Sequence, residues 1–600
     1  MVLAVVKAYV ALWALLLMAG MSARSILSFF LYAALCFLFV EEEKHKKVSR
    51  PWVLRISAAI YTAFTALALQ GQISAGFDSR LFAAGMMLIL IVGWYLFAHA
   101  LLVVLTTLLS GDGVFRFLRR DPADDGCSDL FGRHLFLFSF LICCAFYLPW
   151  FLYSYPGIFS PDPINQAEQF LGLEPWSNHH PVAHTLLMGL FYRLGMMLTG
   201  DITSSLALYT LFQMLLLAFT GAFVVSTLDR VFCFRRMICV FVLVFYAVYP
   251  FMPIMSVIVG KDTPFSSVVT LFSCVLVRIW HDGLKQQGAG RWGLTAAFWG
   301  LGLSVCLLRS NGFYAFILTA VFFVILFRRD LKRALLMVLP VIAAAVVIKG
   351  PVMNASQVRQ PDMIESLCVP LQQVTQVLVN DRELSDADRE LISSVIDTTY
   401  IKELYVPGFA DNMKELVRAG NEEYLVEHKW EFLSLWIRLG LRYPGDYLAA
   451  YGAQVRGFIY PDYTGDVLVI EGVYSNGIGL EYRPLIGGSI LVKLRELVIK
   501  LGSYVPLDSV LWCMGFYAWA LLFTITLILS QGRDRGRLLI LLPVLTIWLT
   551  YLVATPINDE YRYAFPLVTA FPLMLCALVR KTGQASEDSE KPAGNLKESG

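Results

Sequence analysis

One segment between apolar runs, residues 153–187, is dense in groups that could do chemistry. Within it Asp162 lies between Pro161 and Pro163, which stiffen its backbone. A carboxylate held in this way could take a proton from the hydroxyl group of an acceptor. Pro163 at a first helical position would also make Asp162 the N-cap of a helix, and the two roles are compatible. We predict that Asp162 is a catalytic residue.

Three cations at the edges of apolar runs could bind a phosphate group. Lys261 follows the run that ends VIVG, Arg309 lies in a tight turn between two runs, and Arg562 begins the last run. Arginine offers a fork of donors to phosphate oxygens and lysine a compact charge, so we predict that the three bind a lipid phosphate. Snorkelling or topological anchoring explains any one of them alone, and Asp559 and Glu560 could neutralise Arg562.

Further polar groups are predicted to contact substrate. His180 and His184 are four residues apart, a spacing that could hold a metal ion, but no third ligand is visible nearby. We therefore predict no metal site and no cofactor, and leave a divalent ion open. The amides at 372 and 373 could instead dock their segment onto the membrane helices. The predicted substrate contacts are Asn165, Gln166, His179, His180, Asp262, Asn311, Gln372, Gln373, Asp559 and Glu560.

The composition defines the setting of these residues. Of the 600 residues, 57% are hydrophobic and 16% charged, and the mean hydropathy is +0.63, which is too apolar for a soluble globular protein. We predict an all-α polytopic membrane protein. The net charge of +2 gives no basic field, so nucleic acid is excluded as a partner. The 11 cysteines lie mostly in apolar runs and form no disulfide pattern.

The loops rich in Lys and Arg fix the orientation of the chain, because such loops stay on the cytoplasmic side. The functional residues above then fall on the external face. Counting 182–198 as a span would put a basic loop, 229–236, outside, so we predict that 182–198 is an interfacial helix. The predicted spans, about fourteen in all by length, lie near 3–20, 25–40, 53–70, 82–109, 135–152, 204–226, 237–256, 264–280, 293–308, 312–327, 333–349, 507–530, 537–555 and 562–579.

The spans divide the chain into regions. Residues 351–505 are hydrophilic and alternate helical stretches with turns rich in Tyr, Gly and Pro, which predicts an inserted extracytoplasmic domain of mixed, mostly helical fold. The other predicted regions are an N-terminal four-span region (1–134), a membrane core (135–350) with a catalytic external loop (153–203), a C-terminal three-span region (506–580) and a disordered cytoplasmic tail (581–600).

This arrangement resembles the GT-C superfamily of integral-membrane glycosyltransferases, which use polyprenyl-phosphate-linked sugars and carry an acidic residue in the first large external loop. Here that residue would be Asp162. The segments YPGIFSPDPINQ, SNHHPVAHTLL, GKDTPF, LLRSNGFY, ESLCVPLQQV and NDEYRYAFPL resemble a bacterial family of uncharacterised multi-spanning proteins related to that superfamily, over roughly residues 135–580. The acidic pair typical of protein mannosyltransferases is missing, since Pro163 follows Asp162.

The predicted function is an inverting glycosyl transfer at the external face of the cell membrane, from a polyprenyl-phosphate sugar to a glycan, lipid or protein acceptor of the cell envelope. Asp162 would deprotonate the acceptor, and the cations would stabilise charge on the departing phosphate. The alternative is a transporter or lipid flippase without transferase activity, for which ionisable residues at mid-span or broken helices are typical. An assembly protein that binds partners through the external block is a third hypothesis.

Overall fold

The computed structural model describes residues 2–45, 49–109, 116–118, 120, 134–284, 289–462, 472–504, 513–532, 535–554, 557–558 and 560–579. These residues form helices joined by turns, with no strand among them and a few isolated β-bridges between loops. A helix satisfies its own backbone hydrogen bonds, which an apolar segment in lipid requires. The prediction of an all-α polytopic membrane protein is confirmed. The predicted tail, 581–600, lies outside the described residues.

The helices of the first part of the chain follow the apolar runs. They are α1 (Val2–Ala19), α2 (Ile26–Lys44), α3 (Pro51–Ala75), α4 (Arg80–Leu109), α5 (Leu135–Tyr153), α6 (Pro161–Leu171), α7 (Val182–Thr199), α8 (Ile202–Phe232), α9 (Arg236–Val248), α10 (Phe251–Val257), α11 (Asp262–Asp282), α12 (Ala289–Leu308), α13 (Ser310–Leu326) and α14 (Leu331–Val347).

Residues 351–505 are called the inserted block below; their described part, 351–462 and 472–504, is mostly helical and has a hydrophobic core of its own around Val374, Ile392 and Leu435. The strands expected of a mixed fold do not occur in its described part, where helices and turns satisfy the backbone. The helices are α15 (Met353–Ala355), α16 (Cys368–Val379), α17 (Asp386–Val395), α18 (Ile401–Leu404), α19 (Asp411–Ala419), α20 (Glu422–Glu427), α21 (Lys429–Arg442), α22 (Pro444–Ile459) and α23 (Ser489–Tyr504), followed by the C-terminal α24 (Met514–Gln531), α25 (Leu538–Val553) and α26 (Tyr561–Leu578).

Each predicted span overlaps described helices, but the span 237–256 is divided between α9 and α10, and residues 507–512 of the span 507–530 lie outside the described residues. Ten described helices, α7 among them, are long and apolar enough to cross a membrane, and the bent pair α9 and α10, which meet at 46°, would make an eleventh. Helices α12, α13 and α25 have shorter apolar stretches. Helix α2 carries three glutamates in its last turns. The number of spans, about fourteen by length, stays a prediction.

Helix α7 packs against the beginning of α8. Gly195 of α7 lies directly against Ser205, the rings of Phe191 and Phe212 stack at 4.4 Å, and His184 bonds to Tyr209. Because α7 is also long and apolar enough to cross a membrane, its interfacial position stays a prediction.

One face of α7 is apolar and exposed. Its side chains recur at helical spacing, so they form a continuous stripe, and the opposite face packs against α6 and α8. An apolar stripe of this kind on a short helix suits the boundary between headgroups and acyl chains. The exposed residues of the stripe are Leu186, Leu190, Leu194, Met197 and Leu198.

Helix α22 joins the inserted block to the membrane helices. The Tyr451 hydroxyl donates to the Leu552 carbonyl (2.7 Å), and the indole of Trp548 donates to the Phe458 carbonyl (3.0 Å). Gly452 packs directly against the backbone of α3, where a side chain would not fit. These contacts reach α3 and α25, so the block is continuous with the membrane part.

An interfacial α7 has both of its ends on the external face. We therefore expect cysteines introduced at the exposed positions Glu174 and Thr199 to react with a membrane-impermeant maleimide added to intact cells. The native Cys233, exposed in the turn after α8 on the predicted cytoplasmic side, serves as the internal negative. Labelling at only one of the two introduced positions would show that α7 crosses the membrane.

Candidate functional site

Asp162 lies in the first turn of α6, after the loop that follows α5. The helix begins at Pro161, so Ser160 is the N-cap residue, and the prediction that Asp162 caps the helix is wrong. The reason is that Pro161 itself suits the first helical position, where no N–H group is needed. The helix ends at Gly172, whose φ of 78° places it in the left-handed conformation. The Asp162 side chain is 42% exposed and accessible to a substrate.

Two parallel β-bridges hold the chain just before α6. Ile158 pairs with Ile258, and Phe159 pairs with Val473. Because the bridged segments run in the same direction, α6 begins at the same end as Lys261, three residues beyond the first bridge. Backbone pairing thus brings together two segments that are a hundred residues apart in the sequence.

The segment 472–488 lies against this loop and is called the strap below. The backbone N–H of Tyr474 donates to the Phe159 carbonyl (2.9 Å), and that of Arg483 donates to the Tyr155 carbonyl (2.9 Å). These bonds satisfy carbonyls that no helix uses. The end of the inserted block therefore helps to position the loop that carries the candidate catalytic residue.

Two of the predicted cations face Asp162. The Nζ atom of Lys261 lies 3.8 Å from Asp162 Oδ2, and Nη1 of Arg562 lies 3.9 Å from the same oxygen. The three side chains come from α6, from the residue before α11 and from the first turn of α26. At these distances the charges attract each other without a short hydrogen bond. The structure thus brings together three residues that are widely separated in the sequence.

The surrounding charges determine the ionisation of Asp162. Partial burial tends to raise the pKa of this carboxyl, but the positive charges of Lys261 and Arg562 outweigh burial and hold the pKa at about 2. Asp162 is therefore a carboxylate at neutral pH. It becomes a stronger base only if another anion takes up the charge of these two cations.

His180 is the direct partner of Lys261. Its Nδ1 lies 3.1 Å from Lys261 Nζ, and burial together with the lysine charge lowers the pKa of His180 to about 3. The imidazole is therefore neutral and accepts a hydrogen bond from the ammonium group. Burial also lowers the pKa of Lys261, and Asp162 partly offsets this. The predicted contact residue His180 thus orients the cation next to Asp162.

The third predicted cation, Arg309, forms a buried ion pair with Asp262. The guanidinium also lies over the rings of Tyr563 and Tyr551, with its carbon 4.7 and 5.7 Å from the two centroids. A buried charge needs such partners to offset its loss of water. The pair joins the turn between α12 and α13 to the start of α11, next to Lys261. The structure therefore places Arg309 as a support of this region.

Glu560 neutralises Arg562, as one of the sequence hypotheses proposed. Its two carboxylate oxygens accept from Nε (2.8 Å) and Nη2 (3.0 Å) of the guanidinium. This fork fixes the plane of the guanidinium and leaves Nη1 directed at Asp162. Asp559, also predicted here, lies outside the described residues.

Gln166 and His184 bond to each other inside the protein. Nδ1 of His184 lies 2.9 Å from Gln166 Oε1, and Nε2 lies 2.6 Å from the hydroxyl of Tyr209. With the proton on Nδ1, both ring nitrogens are satisfied and the Tyr209 hydroxyl donates. The chain of bonds links α6, α7 and α8 and so fixes the helix that carries Asp162. Sequence reasoning missed Tyr209, because nothing in its local pattern marks it.

Three further residues that were predicted to contact substrate contact other residues of the protein. Asn165 accepts a hydrogen bond from Gln169 (2.9 Å) within α6, and Asn311 donates to Thr550 (2.8 Å) on α25. His179 is exposed and its ring packs edge-on against that of its neighbour. Of these, His179 is the one most open to a ligand.

The two predicted glutamines of the inserted block bond within the block. Gln372 donates to the Val406 carbonyl (3.1 Å), and Gln373 donates to the Tyr447 carbonyl (3.2 Å) and accepts from the Trp436 indole (2.7 Å). Both are buried. Their amides hold the helices of the block together, and the structure does not bring them to Asp162.

The assembled group is called the charge cluster below and contains three carboxylates and three cations. Within the described part of the chain, no group of three His, Cys, Asp or Glu side chains could hold a metal ion. The cluster can bind an anion and can move a proton, because it combines an accessible carboxylate with two cations that are not locked to it. Its members are Asp162, Lys261, Asp262, Arg309, Glu560 and Arg562.

The fold and this site define a polytopic, all-α membrane protein with a charge cluster at the ends of its helices. The sequence model of a family of unknown function, DUF6020, matches residues 174–592, and the chain belongs to this family. The matched span includes the three predicted cations and begins after Asp162. No curated protein and no solved structure matches the chain.

Burial of a neutral His180 makes folding stability depend on pH. Its pKa is about 3 in the folded protein and about 6.5 in an unfolded chain. Between these values the unfolded chain holds a proton that the folded protein lacks, so stability falls by up to about 1.4 kcal/mol per pH unit on acidification below about pH 6.5. Thermal melting in detergent at several pH values checks this. His180→Gln should reduce the slope, and an unchanged slope would contradict the assignment.

Replacement of His184 should destabilise the protein. His184→Ala leaves the buried Gln166 amide and Tyr209 hydroxyl without their shared partner, which costs about 1–3 kcal/mol. The exposed His179 provides the matched control, and His179→Ala should melt close to the wild type. Equal melting of the two variants would show that the bonds between α6, α7 and α8 contribute little.

Proposed function

We propose that the protein is a membrane glycosyltransferase of GT-C type. It transfers a sugar from a polyprenyl-phosphate-linked donor to an acceptor on the external face of the membrane, with inversion at the anomeric carbon. Asp162 is the general base, and Lys261 and Arg562 bind the phosphate of the donor. Cell-envelope glycans, lipids and proteins are the acceptor classes.

The observation that carries this proposal is the placement of Asp162 between Lys261 and Arg562. An accessible carboxylate can act as a proton acceptor. The two cations within 4 Å of it can bind an anion beside that carboxylate. A purely structural role is enough to explain a buried ion pair such as that of Arg309 with Asp262. A structural role does not explain why the Asp162 carboxylate, which is 42% exposed, lies next to two separate cations.

The reaction needs one bond to form and one to break. Asp162 takes the proton of the acceptor hydroxyl, whose oxygen attacks the anomeric carbon on the face opposite the phosphate. The bond between that carbon and the phosphate oxygen breaks, and its electron pair leaves with the polyprenyl phosphate. The products are the glycosylated acceptor, a protonated Asp162 and a phosphate with one more negative charge.

The charge cluster suits this change because the total charge at the site stays the same. A carboxylate and a singly charged phosphodiester become a neutral carboxyl group and a doubly charged phosphate. Lys261 and Arg562 lie close to the carboxylate that is neutralised and to the phosphate that gains charge. Their positive electrostatic field is therefore in place before the reaction begins. Binding of the donor phosphate also draws these cations from Asp162, which strengthens it as a base when the acceptor is present.

The lipid part of the donor fits the surroundings of the cluster. Helix α7 presents an exposed apolar stripe and begins two residues after His180, which contacts Lys261. A polyprenyl chain in the outer leaflet can lie along such a stripe while its phosphate reaches the cluster. The bent pair α9 and α10 ends at the same place, just before Lys261.

Replacing the base should abolish turnover and leave donor binding. In Asp162→Asn we expect product formation to fall by about 10²–10⁴-fold, whereas native mass spectrometry still detects bound polyprenyl-phosphate sugar. Glu168→Gln, on the same helix α6 but outside the cluster, is the control and should keep wild-type turnover. Equal turnover of Asp162→Asn and the wild type would remove Asp162 from catalysis.

Replacing either phosphate ligand should instead weaken donor binding. Lys261→Gln and Arg562→Gln each remove one charge-assisted contact, so we expect about a tenfold or greater loss of affinity for the donor lipid. Arg442→Gln, an exposed arginine of the inserted block, is the control and should bind as the wild type does. Unchanged affinity in both cluster variants would contradict the proposed phosphate site.

A further inference from the structure

A groove on the inserted block is separate from the charge cluster. It lies between α17 and α21, is open to solvent, has a volume of about 510 Å³, and has Tyr424 of α20 at one side. This volume falls in the range of sites that hold small ligands, which is about 300–1,000 Å³. The groove belongs to the hydrophilic part of the chain and not to the membrane helices.

The main feature of the groove is Trp430. Its side chain is 72% exposed, although an indole is among the most apolar side chains. Exposed indoles are enriched at binding surfaces, because they offer a large flat apolar face and one donor at low entropic cost. Trp430 follows closely after Tyr424, whose ring stacks on His428 at 3.8 Å and is thereby held in place.

Polar groups surround the indole. Asp388 and Arg438 form an ion pair across the groove (2.6 Å), and Arg438 also donates to Ser434 (2.9 Å). Glu390 and Glu431 line the same groove and form no ion pair with another described residue. Their carboxylate oxygens are therefore free to accept hydrogen bonds from a ligand.

The geometry points to an oligosaccharide site in this groove. A pyranose ring has a face of C–H groups, which stacks on an indole, and a rim of hydroxyl groups, which donate to carboxylates and accept from arginine. The carboxylates of Glu390 and Glu431 repel anionic sugars and phosphates, which favours an uncharged glycan over an anionic one. The identification of this glycan as the acceptor of the transfer rests on the proposed function. The binding site itself does not depend on that function.

The same carboxylates argue against a membrane contact for Trp430. Ile437 and Leu441 on α21 are also exposed, so a helix resting on the outer leaflet has to be considered. Bilayers that contain anionic lipids repel carboxylates, and three of the four charged residues that line the groove with Trp430 are acidic. The concave, acidic surroundings of the indole fit a glycan better than a lipid surface.

Calorimetry on the detergent-solubilised full-length protein tests the site without any donor lipid. The probes are chitotetraose and cellotetraose, which are uncharged, and tetragalacturonate, which is anionic. We expect at least one uncharged probe to bind and tetragalacturonate not to bind. Trp430→Ala should lower the affinity by about tenfold or more, and Trp430→Phe should retain part of it. Tyr400→Ala, an exposed aromatic of the block outside the groove, is the control and should bind normally.

Several outcomes would overturn the inference. Binding of neither uncharged probe, equal binding by Trp430→Ala and the wild type, or equally tight binding of tetragalacturonate would each do so. In nanodiscs that contain brominated lipid, Trp430→Phe should leave the quenched part of the tryptophan fluorescence unchanged. Loss of quenched signal in that variant would place Trp430 in the bilayer instead.

The two proposals fail separately. Asp162→Asn should bind the uncharged probe as the wild type does, because the groove does not involve the charge cluster. Normal glycan binding with no turnover in the wild type would retain the groove and reject the transferase. Turnover that depends on Asp162, together with no glycan binding, would retain the transferase and reject the groove.

Discussion

Charges in poorly hydrated surroundings need partners, and the organisation of this site follows from that requirement. Asp262 and Arg309 are both buried and satisfy each other, which fixes the start of α11. Lys261, the residue before α11, then has one neutral partner in His180 and one charged partner in Asp162. A series of polar contacts thus runs from the ion pair of Asp262 and Arg309 to the accessible carboxylate of Asp162. These contacts require the chain segments that carry the groups to lie close together.

Most of the membrane architecture could be predicted because its physical cause is local. A run of about 20 apolar residues forms a helix in lipid whatever its neighbours are. The candidate site was partly predictable, since Asp162, Lys261 and Arg562 are charges at the edges of such runs and on one predicted side. The predicted N-cap was wrong by two residues, because two prolines offered alternative first positions and only the backbone pairing of the loop decides between them.

Residue partners far apart in the sequence could not be predicted. Nothing near Tyr209 signals a bond to His184, and nothing near Asp262 signals Arg309. Gln372 and Gln373 were predicted substrate contacts because polar groups in an apolar segment need partners, and that reasoning was sound. It could not distinguish a ligand from another helix of the same block. Only the tertiary contacts show what such groups bind, and a single sequence carries no record of those contacts.

The strap has a consequence for how the protein can be divided. It lies near the end of the inserted block, and its backbone bonds to the loop before α6. A membrane core produced without the block would lack these backbone bonds. It would also lose the β-bridge between Phe159 and Val473, so that only the bridge between Ile158 and Ile258 would hold the loop. The block is therefore no detachable module, and construction of a minimal version has to retain residues 472–488 even if the globular part of the insertion is shortened.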